Sequence, residues 1–229
     1  MRVLRWHLAL MIVFASAMTI AARTTSGRSA DLQVRFIAIQ SPPAAQREAQ
    51  PPATPGGRGR GGGRGVQVMM LATPAWPDAG QIPAKHAQGG GEISPPLTWS
   101  NVPDGIVSFV LIVHDPDAAT GNGTDDILHW MLWNIPGEAR SLPEGVAQGS
   151  QLPDGTRQIS ATGPSYRGPG APATGNAHHY TFELFALDAM LDVPAVGASP
   201  QQTRAAIVSA MAGHVRGKAV YVGLYRRPQ

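Results

Sequence analysis

Two aspartates and two histidines are spaced in this chain so that folding could bring them to one place. Asp115 and Asp117 flank Pro116, His129 opens the next apolar run, and His178 stands two residues before Tyr180. A carboxylate beside an imidazole at the edge of a core is costly unless the two hydrogen-bond to each other or to a ligand. Such a set suits three chemistries: a general-base pair, a mixed oxygen and nitrogen metal site, or a receptor that donates hydrogen bonds to an anion. The bland alternative is a turn, because Asp and Pro both favour turn geometry.

The second informative stretch, Gly163 to Tyr180, is rich in glycine and proline and ends in His178-His179-Tyr180. Glycine lets backbone N–H groups approach a ligand closely, and proline stiffens the frame while removing donors. Free amides beside an imidazole make an anion receptor. A metal site using Asp125 and Asp126 with Asp115, Asp117 and His129 ranks below it, because no standard loop spacing is present. A hydrolase built on His129, Asp115 and Ser165 or Tyr166 ranks lower too, since the chain has neither a Gly-x-Ser-x-Gly elbow nor a Walker loop. Cysteine is absent, which removes disulfides, thiolate metal sites, a Cys nucleophile and a lipidated Cys.

Strands must position these groups. Twenty-seven Gly and 21 Pro in 229 residues suit a loop-rich β protein. Strands are expected at Val66 to Leu71, Ile106 to Val113, Leu128 to Ile135, His178 to Leu187 and Val220 to Tyr225, with an extended segment from Glu92 to Trp99. Alternation puts His129, Met131, Trp133 and Ile135 on one face of their strand. It carries the face of Val107, Phe109, Leu111 and Val113 on to Asp115 and Asp117. Likewise His178, Tyr180, Phe182 and Leu184 share a face, with His179 opposite and solvated. Ser199-Pro200 starts the one helix, with Ile207, Val208, Met211 and Val215 near helical spacing and Gly213 marking its end. Trp99, Trp130 and Trp133 read as core or rim packing, Asp125 and Asp126 as a solvated loop edge, and His86, His114 and His214 as structural or exposed.

The fold class expected is a mainly β, Greek-key antiparallel sandwich with long loops and a short C-terminal helix. Residues 1–22 carry Arg2 and Arg5 ahead of an apolar run, the pattern of a signal peptide, with an uncleaved anchor as the minority reading. Residues 23–65 read as a disordered Pro/Gly/Arg-rich linker, and residues 66–229 as the folded domain. The chain is expected to be exported, to the periplasm or beyond. Its basic character, pI about 9.7, belongs to the extension: residues 66–229 hold nine basic and 13 acidic residues, so no nucleic-acid partner is indicated for the domain.

Taken in order, Ser94-Pro95-Pro96-Leu97-x-Trp99, Asp115-Pro116-Asp117-Ala118, His129-Trp130 with Asn134-Ile135-Pro136, and Tyr166-x-Gly168 through His178-x-Tyr180 resemble the successive signatures of the phosphatidylethanolamine-binding protein family. The likeness is greatest to its bacterial, Raf-kinase-inhibitor-like branch and covers essentially all of residues 66–229. It implies a β-sandwich with a small anion pocket for phosphate or a phosphorylated or phospholipid head group. The ligand-binding residues it implies are Asp115, Asp117, His129, Gly168, Gly170, Pro172, His178 and Tyr180, with no catalytic residue, metal or cofactor. Ala119 replaces the proline usual two residues after the second Asp, and Gly170-Ala171-Pro172 replaces a Cys-Pro-Pro, which bears on ligand preference. On this reading His129 and His178 donate to phosphate oxygens, amides near Gly168 and Gly170 add further donors, and Asp115 or Asp117 orients an imidazole. Binding without turnover is expected. Protease inhibition or another protein interaction is the alternative, with a homodimer left open.

Overall fold

The computed structural model describes residues 65–229. The signal read at 1–22 and nearly all of the linker read at 23–65 lie outside the described residues. The described chain forms β1 (Gln67–Val68), β2 (Met70–Ala72), β3 (Gly80–Gln81), β4 (Leu97–Ser100), β5 (Ser108–Thr120), β6 (Asp125–Pro136), β7 (Ser141–Leu142), β8 (Arg157–Ile159), β9 (His178–Leu187), α1 (Pro200–Ala210) and β10 (Val215–Tyr225). It is mainly β with one short α-helix, as the sequence implies.

The larger sheet runs β1-β10-β9-β5-β6-β8, with β3 also on β10, and the smaller runs β2-β4-β7. The body of the large sheet is antiparallel. Its margin is not, because β1 and β3 pair with β10 in parallel. Both are two-residue strands reached by irregular chain rather than by hairpins, so nothing forces the antiparallel sense. The single strand expected over Val66 to Leu71 is likewise two. Met69, buried at 3% exposure, is the step at which the chain leaves the large sheet as β1 and enters the small one as β2.

Both faces of the large sheet are covered, which explains the continuous apolar runs of β5 and β6. Phe109, Leu111, Val113, Trp130 and Leu132 pack with Leu97, Trp99 and Leu142 of the small sheet. Val110, Ile112, Met131 and Trp133 face the other way, onto Ile207 and Met211 at α1 and onto Leu191 and Val193. The tryptophans are core residues, as expected: Trp99 is 4% exposed, Trp130 and Trp133 not at all. Ser199 caps α1 with a reciprocal Ser199–Gln202 capping box. Gly213, at φ +82°, follows the helix end. Val208 is half-exposed and Val215 already belongs to β10, so the apolar stripe is narrower than the spacing suggested.

Irregularities in the β5–β6 hairpin overturn the simple parity. Pairing passes from Val113↔Trp130 to His114↔Leu128, so His129 is the extra residue of a bulge. His129 therefore does not share the face of Met131 and Trp133. Farther along, Asn134 sits at φ +57°, and Ile135 returns to the inter-sheet core. The Asn134 side chain clamps the 190s segment, donating to Leu191 O (3.0 Å) and accepting from Leu191 N (2.8 Å). β5 itself runs on through Asp115-Pro116-Asp117 to pair at Thr120↔Asp125 rather than stopping at the prolyl turn.

Candidate functional site

The bulge brings His129 over the end of β9, where its ring meets Tyr180 edge-to-face at 5.0 Å between centroids. His129 Nδ1 donates to the Arg167 carbonyl (3.0 Å). A carbonyl can only accept, so Nδ1 carries the proton, and in the neutral ring Nε2 holds a lone pair. Nε2 is buried and has no partner. Burial holds this imidazole below its usual pKa, against the raising effect of the Arg167 carbonyl and the Asp115 carboxylate.

Asp115 lies beneath the same opening, 2% exposed. Its Oδ1 accepts from the amides of Asp117 (3.0 Å) and Ala118 (3.1 Å), the turn favoured by an Asp before Pro. Its Oδ2 accepts from His178 Nδ1 at 2.9 Å. The carboxylate thus fixes the His178 ring and leaves its Nε2 side for the pocket. The orienting role expected of Asp115 or Asp117 falls to Asp115.

Asp117 belongs elsewhere. Its exposed Oδ2 accepts from both the backbone N–H (2.6 Å) and Nδ1 (2.8 Å) of His179, and those bonds hold its carboxyl below the usual range. Regular alternation would keep the two aspartates on one face, but β5 is distorted between Asp115 and Thr120, so the shared face inferred from parity does not persist. His179, expected to be solvated, is exposed but paired.

A cavity of about 300 Å³ opens between these elements, walled by Asp115, His129, His178, Gly170 and Pro172 from the expected set. Ala171, Ala118 and Ile127 complete the apolar wall, while Gln88, Arg167 and Arg227 complete the polar one. Tyr180 is a support rather than a lining residue. Its hydroxyl accepts from the amides of Gly170 (3.1 Å) and Ala171 (3.0 Å), and burial raises its pKa, with the adjacent Asp115 carboxylate adding to the effect. Those amides are therefore spent on tyrosine, contrary to their expected role as ligand donors. Gly168 serves packing: a Cβ there would fall 2.5 Å from the His86 carbonyl oxygen, and its own carbonyl accepts from Gln88 Nε2 (2.8 Å).

The other expectations sort readily. Tyr166 is buried, stacks edge-on against Trp130 and donates its hydroxyl to the His86 carbonyl (3.0 Å), so it is no nucleophile beside His129. Asp126 is not a solvated edge: it binds Arg204 and His114 on the α1 face of the sheet. No cluster of three or more His, Asp or Glu side chains suited to a metal occurs among the described residues. Gln88 and Arg227 carry no sequence signal, because they reach the site from segments remote in sequence. Arg167 stood inside the recognised loop, at a position its motif leaves open.

A mainly β chain with a small pocket, walled by two histidines, a buried carboxylate and a Gly-Pro loop, has the form of a binding protein. The sequence model of the phosphatidylethanolamine-binding protein family matches residues 72–226. Among similar chains, the UPF0098 protein of Methanothermobacter thermautotrophicus is 41% identical over 161 residues, 69% of this chain and 99% of that one. A UPF0098 protein of Aquifex aeolicus is 33% identical over 166 residues, 71% of this chain and 91% of the relative. Among solved structures, Escherichia coli YbcL, described as a new member of the mammalian PEBP family, aligns with TM-score 0.59 and 28% identity over 69% of this chain and 98% of its own. The chain belongs to the phosphatidylethanolamine-binding protein family.

Proposed function

We propose that this chain is an exported binding protein that holds phosphate, or the phosphate of a phosphorylated small molecule or lipid head group, between His129 and His178 without turning it over. The observation that carries the reading is the buried, unpartnered Nε2 of His129 at the pocket wall. A polar atom in that position lacks a hydrogen bond worth about 1–3 kcal/mol, which a ligand oxygen bearing or meeting a proton would supply. Binding rather than turnover is favoured by the engagement of Tyr166, one of the two candidate hydroxyls, with the His86 carbonyl. Export rests on the pattern of residues 1–22.

Calorimetric titration of phosphate and phosphoethanolamine into the wild type and His129→Ala tests the pocket. Removing a charge-assisted donor should weaken binding about ten- to a hundredfold. Equal affinity for the two proteins would sink the assignment. Phosphomonoester hydrolysis by the wild type that His129→Ala abolishes would replace binding with catalysis.

A further inference from the structure

The pocket mouth is more basic than the domain that carries it. Residues 66–229 hold more acid than base, yet Arg167 and Arg227 both line the cavity. Most other cations of the domain are matched: Lys85 with Glu144, Arg204 with Asp126, Arg216 with Asp188 and Lys218 with Glu183. Among the described residues, no carboxylate lies within ion-pair distance of Arg167 or Arg227, and the charge of Arg167 is felt at His129. Arg227 is held in place. Its amide donates to the Ala171 carbonyl (3.2 Å), and its guanidinium donates to Gln88 Oε1 (3.1 Å). Gln88 in turn donates to Gly168 O. A neighbouring hollow of about 420 Å³ shares Gln88 and Arg227 with the pocket, so the guanidinium stands where a ligand would leave the pocket for that hollow.

The carboxylate side is closed. Asp115 is committed to His178 and to two amides, and Asp117 is bound to His179 away from the cavity. A ligand ammonium therefore finds cations at the mouth and no free carboxylate in the wall. A ligand carboxylate or second phosphate finds a planar donor fork suited to either.

Resting on the anion-pocket reading above, we infer that the site selects a phosphate monoester carrying a second anionic group, the phosphoryl end at His129 and His178 and the other anion at Arg227 and Arg167. The matched pair 2-phosphoglycolate and phosphoethanolamine tests this, because the two differ chiefly in the sign of the distal group. With inorganic phosphate as reference, calorimetry on the wild type should rank phosphoglycolate first and phosphoethanolamine last. In Arg227→Gln the ratio of phosphoglycolate to phosphate affinity should fall about tenfold, Arg227→Lys should keep most of it, and Arg227→Glu should reverse the preference toward phosphoethanolamine. Phosphoethanolamine binding as tightly as phosphoglycolate, or a ratio unmoved in Arg227→Gln, overturns the selectivity while leaving the pocket. Failure of all three compounds to bind overturns the pocket as well. Retention on phosphatidylserine vesicles without binding of phosphoglycolate would assign the site to a lipid diester and equally overturn the inference.

Discussion

At the residue scale, the decisive fact is which ring nitrogen is already used. His129 and His178 both give Nδ1 to protein acceptors, Arg167 O and Asp115 Oδ2. Each ring can meet an anion only through Nε2, and on a neutral ring that atom accepts instead of donating. Binding a fully ionised anion must then load a proton onto His129, whose free pKa burial holds below its usual value. The sign follows. Bound anion raises the His129 pKa, so affinity is full below the free value and is lost as pH rises through the bound one. Phosphate itself titrates near neutrality, but sulfate does not. Sulfate affinity should therefore fall, by up to about tenfold per pH unit, as pH rises above the free His129 value. A flat sulfate profile would mean that His129 does not take up the proton. The tautomers were not legible in the sequence, because they depend on a carbonyl 38 residues away from His129.

At the element scale, the site is a loop pressed onto a bulge. Carbonyl 167 holds His129, and the next residue, Gly168, lies against the backbone of His86 and Ala87. A methyl at Gly168 would meet backbone atoms at 2.5–2.9 Å, which cannot move aside as a flexible side chain can. Gly168→Ala should cost about 1–3 kcal/mol by overpacking and displace the carbonyl that orients His129. Denaturant unfolding reads the first effect, and loss of phosphate affinity in the still-folded variant reads the second. Gly170→Ala is the contrast, since the atoms nearest a Cβ there belong to the Gln88 side chain rather than to backbone, and it should destabilise less. Unchanged stability in Gly168→Ala would show that the loop is not wedged there.

The same scale shows why some elements could be read ahead and others not. β9 was legible to the residue, because His178 to Leu187 alternates cleanly and its inward face is buried. The helix start was legible through Ser199-Pro200. The face of His129 was not, because a bulge shifts parity by one and no local residue announces it. The Asp115 and Asp117 pair failed for the same reason. Motif order identified the half-sites, but only tertiary packing shows that Tyr180 claims the Gly170 and Ala171 amides.

At the scale of the whole molecule, the sheet face opposite the inter-sheet core carries a chain of charges that ties its elements together. His114 on β5 donates toward Asp126 on β6 (2.5 Å) and lies 3.4 Å from Glu183 on β9. Asp126 binds Arg204 of α1, and Glu183 binds Lys218 of β10 (2.7 Å). Burial alone would lower the His114 pKa, but the adjacent carboxylates of Glu183 and Asp126 outweigh that and raise it, despite the nearby Arg204 charge. Glu183 is in turn held down to about 2 by His114 and Lys218. A histidine raised on folding contributes its full stabilisation below its unfolded pKa and loses it as pH rises through the folded one. The depressed Glu183 acts at the other end, losing its contribution only as pH falls toward about 2. His86 and His129, lowered by burial, oppose His114 on the acid side, so total stability is the wrong readout. The difference between wild type and His114→Gln isolates the network. It should favour the wild type by about 1–3 kcal/mol near pH 5.5 and shrink as pH is raised to about 9, measured by denaturant unfolding at each pH. A difference that stayed constant across that range would show that His114 contributes by packing rather than as a cation shared between two carboxylates.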